Sequence, residues 1–223
     1  MKDIYIVLIK AHTGLGAAAR RLTHYPYTHI ALSLDRSMTD FISFSRRYHF
    51  FPFESGITHE YRHYYAFGKH KDFRAKIFRL SVDKEHYEAV LSYIAECMND
   101  RDMRFNLFSM ATMPIIGGFR IPHTENCMSF TARCIELSGC AELRRPFWKY
   151  SIKDMDELLS GHLLFEGRIR RRNAPDDGYM TPLTPHKVPE GNDKAFRRAY
   201  KKAFYRSRCK MSEQIKPNIR KKL

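Results

Sequence analysis

The sequence predicts an α+β domain followed by a basic tail, on three observations. Short apolar segments of strand period dominate the first eighty residues, and two later segments carry helical spacing. The third observation is where the charge lies. Lys and Arg total 39 against 24 Asp and Glu, a net of +15, but residues 168–223 hold 17 basic and 5 acidic residues and so carry +12 of it. The first 167 residues are nearly balanced. With 43% apolar and 13% aromatic residues the chain can build a core, which excludes wholesale disorder, and 223 residues suit one domain with an appendage.

Residues 5–9, Tyr-Ile-Val-Leu-Ile, read as a buried strand, and 14–22, with Ala17, Ala18 and Ala19, as a short helix. In 27–34, Ile30, Leu32 and Leu34 alternate with His29, Ala31 and Ser33, which is strand period. Asp35-Arg36-Ser37 then signals a turn, so 40–45 is expected to return as the second strand of a hairpin. Residues 46–70, rich in aromatic, His and Arg residues around Pro52 and Gly56, read as loop with one strand near Ile57. Residues 75–80 form another strand. Ser81 or Asp83 can cap a helix reaching Met98, with Tyr87, Val90, Leu91 and Ile94 at helical spacing.

Residues 104–113 read as helix or irregular structure, stopped by Pro114 and Gly117-Gly118. Residues 126–138 predict a helix ended by Gly139, 154–159 a helical turn, and 163–166 a last short strand. Four prolines, two glycines and Asp176-Asp177 give 173–191 a linker composition. Helical spacing returns over 193–210, where Phe196, Tyr200 and Phe204 form one stripe among Lys and Arg. The expected division is a domain over 1–170 and a linker with a basic tail over 171–223.

No run of apolar residues is long enough for a membrane-spanning helix. The apolar run after Met1-Lys2-Asp3 is too short for a signal peptide and lacks a cleavage site. The five cysteines, Cys97, Cys127, Cys134, Cys140 and Cys209, have no paired spacing, so reduced thiols and a cytoplasmic location are expected. His59, His63 and His70 lack a Cys or carboxylate at ligand spacing and read as loop residues. Neither a metal nor a cofactor is expected.

A cysteine reacts as its thiolate, which a helix N-terminus or a nearby imidazolium favours. Cys127 opens the predicted 126–138 helix, whereas Cys134 lies two turns in and Cys140 follows its C-terminus, where the dipole opposes an anion. Taken singly, a free cysteine is most often a small buried apolar residue. Of the eleven histidines, His29 stands on a strand, which fixes an imidazole better than a loop does; taken singly, it reads as a hydrogen-bonded structural histidine.

Tyr27-Thr28-His29-Ile30-Ala31-Leu32-Ser33-Leu34 with Phe41-Ile42-Ser43-Phe44-Ser45-Arg46 resembles the first half of the circularly permuted NlpC/P60 cysteine hydrolases, the permuted papain-like group that includes the YiiX-like proteins. Asn126-Cys127-Met128-Ser129-Phe130-Thr131-Ala132 resembles their nucleophile helix, although relatives often carry Ser directly after the cysteine, where Met128 stands here. Arg104-Phe105-Asn106-Leu107-Phe108 and Leu164-Phe165-Glu166-Gly167 are also similar to stretches of such proteins. The resemblance spans roughly residues 4–167. It implies a permuted papain-like (NlpC/P60) fold, with an antiparallel sheet packed against a nucleophile-bearing helix, and a Cys-His acyl-transfer site of Cys127 and His29.

The third group, which orients the imidazole, is expected to be Ser43, with Asp40 second and Glu60 third. Backbone amides at the helix start, including that of Cys127, would meet the oxyanion. The implied activity is that of a cysteine hydrolase or acyltransferase on an amide, isopeptide or ester. The alternative is a catalytically silent binding module. The basic tail suggests an anionic partner, nucleic acid or a membrane surface.

Overall fold

The computed structural model describes residues 1–49, 51–172 and 178–180. Strand β1 (Lys2–Ile9) is followed by helix α1 (Gly14–Thr23), β2 (His29–Ser33), β3 (Asp40–Tyr48), β4 (Phe51–Tyr61) and a single turn, α2 (Arg62–Tyr65). Then come β5 (Asp72–Val82), α3 (Lys84–Asn99), a short β6 (Arg104–Phe105), α4 (Leu107–Ile116), β7 (Thr124–Glu125) and α5 (Cys127–Ser138). Helix α6 (Ile152–Leu158) and β8 (Leu163–Arg170) complete the order. The fold is α+β. Six strands form one antiparallel sheet in the order β4-β3-β2-β1-β5-β8, while β6 and β7 pair in parallel.

The sheet is buried on both faces, and the pleat decides which side chain goes where. Ile4, Ile6 and Leu8 of β1 join Ile30, Leu32 and Phe44 against helices, meeting Val90 and Ile94 of α3 and Phe130, Cys134 and Ile135 of α5. The rings of Phe44 and Phe130 lie 5.4 Å apart. Tyr5, Val7 and Ile9 point the other way, to a second cluster with Phe41, Tyr65, Phe73 and Tyr179. Tyr179 stacks on Tyr64 at 3.6 Å, and His49 N–H donates to its carbonyl at 2.8 Å, so packing continues past residue 170.

Four expectations are corrected. The 46–70 segment is mostly ordered: β4 is an eleven-residue edge strand, where Pro52 can dispense with an N–H, and α2 follows it. His59 therefore lies on a strand and His63 in a helical turn; only His70 stays in a loop, stacked on His12 at 4.0 Å. Pro114 does not stop α4, because it falls in the last turn and removes a single helical bond; Gly117, at φ 70°, ends the helix. β8 runs four residues beyond its expected end, its arginines facing outward along an edge. Asp83, not Ser81, caps α3 by accepting from His86 N–H. The linker beyond 180 and the 193–210 stripe lie outside the described residues. No described helix is long and apolar enough to cross a membrane.

Candidate active site

His29 is the first residue of β2 and Cys127 the first of α5, so the site forms where a strand start meets a helix start. The sequence builds the helix start with unusual care. Asn126 accepts from the N–H groups of both Met128 and Ser129 through Oδ1, at 3.0 Å each. Ser129 Oγ returns the favour by accepting from Asn126 N–H at 3.0 Å, closing a capping box, and it donates to Glu125. Asn106 N–H donates to Glu125 O at 2.8 Å, which ties this turn to β6. The cap therefore engages the Met128 and Ser129 amides, two of those expected to meet an oxyanion.

The imidazole is held from behind by a carboxylate. His29 Nε2 lies 2.8 Å from Glu60 Oε2 and 3.3 Å from Ser43 Oγ. Ser43 and Tyr65 also donate to Glu60 Oε2, the latter at 2.7 Å, and Ser45 donates to Oε1 at 2.7 Å. Glu60 is only 3% exposed, so four donors surround a carboxylate removed from water. The Cys127 side chain is near enough to the His29 ring to help raise it; Nε2 is turned to Glu60, so Nδ1 is the ring nitrogen that the carboxylate does not engage.

Burial by itself would push the His29 imidazole down. The Glu60 charge, with hydrogen bonds to Cys127 and Glu60, outweighs it and holds the ring well above the ordinary histidine value. Burial likewise opposes the charge on Glu60, but His29 and the hydroxyls of Ser43 and Ser45 hold its carboxyl well below the usual range. The buried pair is an imidazolium beside a carboxylate. Tyr65, raised by burial and by Glu60, stays a neutral donor. Glu125, beneath the nucleophile turn, is raised by burial against the pull of Ser129, Tyr93, Arg120 and Arg133.

The three candidates for the third position separate cleanly. Ser43 touches both His29 and Glu60 and bridges them. Asp40 does not reach His29; it pairs with His59 Nδ1 at 2.8 Å on a half-exposed surface. Glu60, ranked last from the sequence, is the carboxylate on the imidazole. Register explains the order. Phe41 faces Glu60 across the β3–β4 pair, which places Glu60 on the face of Phe41, Ser43 and Ser45, while Asp40 points to the other. Sequence reading also missed Ser45, which the odd-numbered alternation on β3 could have signalled, and Tyr65, for which the sequence offers no local signal.

The other described cysteines stay apart. Cys97 and Cys134 are buried and their thiols pushed up by that burial, and Cys140 bonds the Ser81 carbonyl at 3.7 Å. Among the described residues no group of three or more His, Cys, Asp or Glu side chains is arranged to hold a metal ion. No protein-family model matches the chain, and neither a curated protein nor a solved structure matches it.

Proposed function

We propose that the protein is a cysteine hydrolase or acyltransferase acting on an amide, isopeptide or ester, built on a permuted papain-like fold. One observation carries the reading: a thiol at a capped helix N-terminus lies near an imidazole that a buried carboxylate holds at 2.8 Å and raises well above its ordinary value. The chain order of His strand, polar strand and Cys helix supports the fold.

In the proposed cycle the Cys127 proton resides on His29, so sulfur attacks the substrate carbonyl carbon as a thiolate. The oxyanion that forms accepts from the Cys127 N–H. The C–N or C–O bond then breaks, and His29 gives its proton to the departing amine or alcohol. Neutral His29 next takes a proton from water, or from an acceptor hydroxyl or amine, which attacks the thioester and releases Cys127. Glu60 holds the ring in place and stabilises its charge throughout, without itself being protonated.

The carboxylate of Glu60 beside the imidazole favours this reading over the alternative of a catalytically silent binding module. Incubation with p-nitrophenyl acetate tests the proposal, following p-nitrophenolate release and the intact protein mass. Turnover with an acetyl adduct on Cys127, both absent in Cys127→Ala, is the expected result. Unchanged turnover in Cys127→Ala would overturn it.

A further inference from the structure

A cavity of about 340 Å³ opens beside the end of β1, walled by Lys10 and His12, by Asp72 and Arg74 of β5 and by Glu166 and Arg168 of β8. The pleat explains why charged side chains gather there. Phe73, Ala75 and Ile77 belong to the second cluster, so Asp72, Arg74 and Lys76 turn to the opposite face of the sheet, that of the helices. Register puts Glu166 beside Lys76 and Arg168 beside Arg74 on the same face. Lys10 follows Ile9, another residue of the second cluster, and its N–H donates to the Arg74 carbonyl at 2.9 Å, so its side chain joins them. The apolar part of this face ends at Leu8 and Phe78.

The acceptors around this cavity are engaged, whereas donors are left over. Glu166 Oε1 accepts from Arg74 at 2.7 Å and from Tyr27 at 2.8 Å, and Lys76 lies 3.6 Å from Oε2. Asp72 accepts from Arg168 at 3.0 Å. Asp156, which joins the network through Lys76 at 2.8 Å, also accepts from Tyr25. Lys10, partly buried, makes no ion pair among the described residues. Arg74 and Arg168 each reach a carboxylate through one terminal nitrogen, and a guanidinium carries five N–H donors. His12, stacked on His70, is pushed below the ordinary histidine value by burial and then by His70, Arg20 and Lys10, so it brings no charge at neutral pH. The segments that form the walls, residues 10–21, 69–76 and 166–172, contain eleven Lys and Arg against two acids, Asp72 and Glu166. The next acids in the chain, Asp176 and Asp177, lie outside the described residues, and Tyr179 just after them packs on the other face of the sheet.

We propose that the cavity is a binding site for a small oxyanion, a phosphate or a carboxylate group, which Lys10 holds together with the remaining N–H donors of Arg74 and Arg168. A cationic ligand would meet only carboxylates that are already engaged, and an apolar one would bury the Lys10 ammonium without a partner. The cavity adjoins the strand that carries the imidazole: Ile9, next to Lys10, pairs with His29, and Tyr27 of the approach to β2 donates to Glu166. Binding goes beyond the proposed thiol chemistry and does not depend on it, so Cys127→Ala is expected to bind as the wild type does.

Calorimetric titration of the full-length chain with inorganic phosphate and, separately, with acetate tests this at constant ionic strength, one arm for each kind of oxyanion. At least one of the two should bind. Lys10→Met breaks no ion pair, so it should keep the wild-type thermal midpoint and weaken that binding roughly tenfold or more. Lys10→Arg keeps the charge and should retain most of the affinity. Lys84→Met, placed beyond the far end of β5, removes the same charge elsewhere and should bind as the wild type does. Three results would overturn the proposal. One is binding of neither anion by the wild type. Another is wild-type affinity in Lys10→Met, which assigns binding to basic residues outside the cavity. The last is an equal loss in Lys84→Met, which reduces the effect to net charge.

Discussion

Replacing Glu60 by glutamine removes one charge and almost no volume, and its consequences can be worked from the contacts. The carboxylate accepts from His29, Ser43, Ser45 and Tyr65. An amide offers one acceptor oxygen and turns an NH2 toward the remaining donors, so at least one buried hydroxyl loses its partner, at about 1–3 kcal/mol. Removing one member of a buried ion pair costs about 3–5 kcal/mol when the other stays charged. His29 can instead release its proton, because with Glu60 gone burial is the dominant influence and drives the imidazole below its ordinary value.

The net expected loss is about 2–4 kcal/mol, near 10 °C in Tm for a domain of this size. The pH profile carries the signature. In the wild type, the raised His29 contributes stability that is complete below the unfolded value near pH 6.5 and is lost only as pH rises through its folded value. The depressed Glu60 contributes above about pH 4.5 and loses that contribution as pH falls through its own folded value. Both contributions are complete only between about pH 4.5 and 6.5, and above that the His29 contribution declines steadily until its folded value is passed. In Glu60→Gln, the buried imidazole prefers to be neutral, so stability should rise with pH through the histidine range instead. Catalysis should fall by about 10²–10³-fold in kcat/KM at neutral pH. Tm by circular dichroism from pH 4 to 10, with esterase assays on the same samples, reads both. A variant with wild-type activity and an unchanged Tm profile would refute the role given to Glu60.

Ser43→Ala removes a bridging hydroxyl but leaves the carboxylate, so about 2 kcal/mol of stability and less than tenfold of activity should be lost, read by thermal melts and initial rates. Asp40→Asn breaks only the half-exposed pair with His59, and should change activity within error and stability by less than about 1 kcal/mol. Asn126→Ala strips the cap from the Met128 and Ser129 amides; denaturant melts should show a loss of about 1–2 kcal/mol. Its kcat should drop more than its KM changes, because the turn that carries Cys127 loosens.

Cys127 and His29 were legible in the sequence because each depends on local rules. Asn126 before the helix and Gly139 after it, at φ 65°, frame α5, and the Ile30, Leu32 alternation fixes the pleat that turns His29 to the face of Ser43 and Glu60. Glu60 was hidden because its role depends on register between two strands, one of which looked like loop. Pro52 and Gly56 within β4 give it the composition of a loop, and an edge strand with one partner needs no clean alternation. Ser129 was visible only as a departure from the family pattern. Its task, holding Asn126 N–H while anchoring on Glu125, needs β7 and α5 in three dimensions.

The central claim is that His29, charged by Glu60, activates Cys127. Site-resolved iodoacetamide labelling at pH 6.5 tests it most directly, comparing wild type, Glu60→Gln and His29→Ala, with Cys209 of the same chain as internal reference. Labelling of Cys127 relative to Cys209 should fall at least about tenfold in both variants. Equal Cys127 labelling in wild type and His29→Ala would contradict the account.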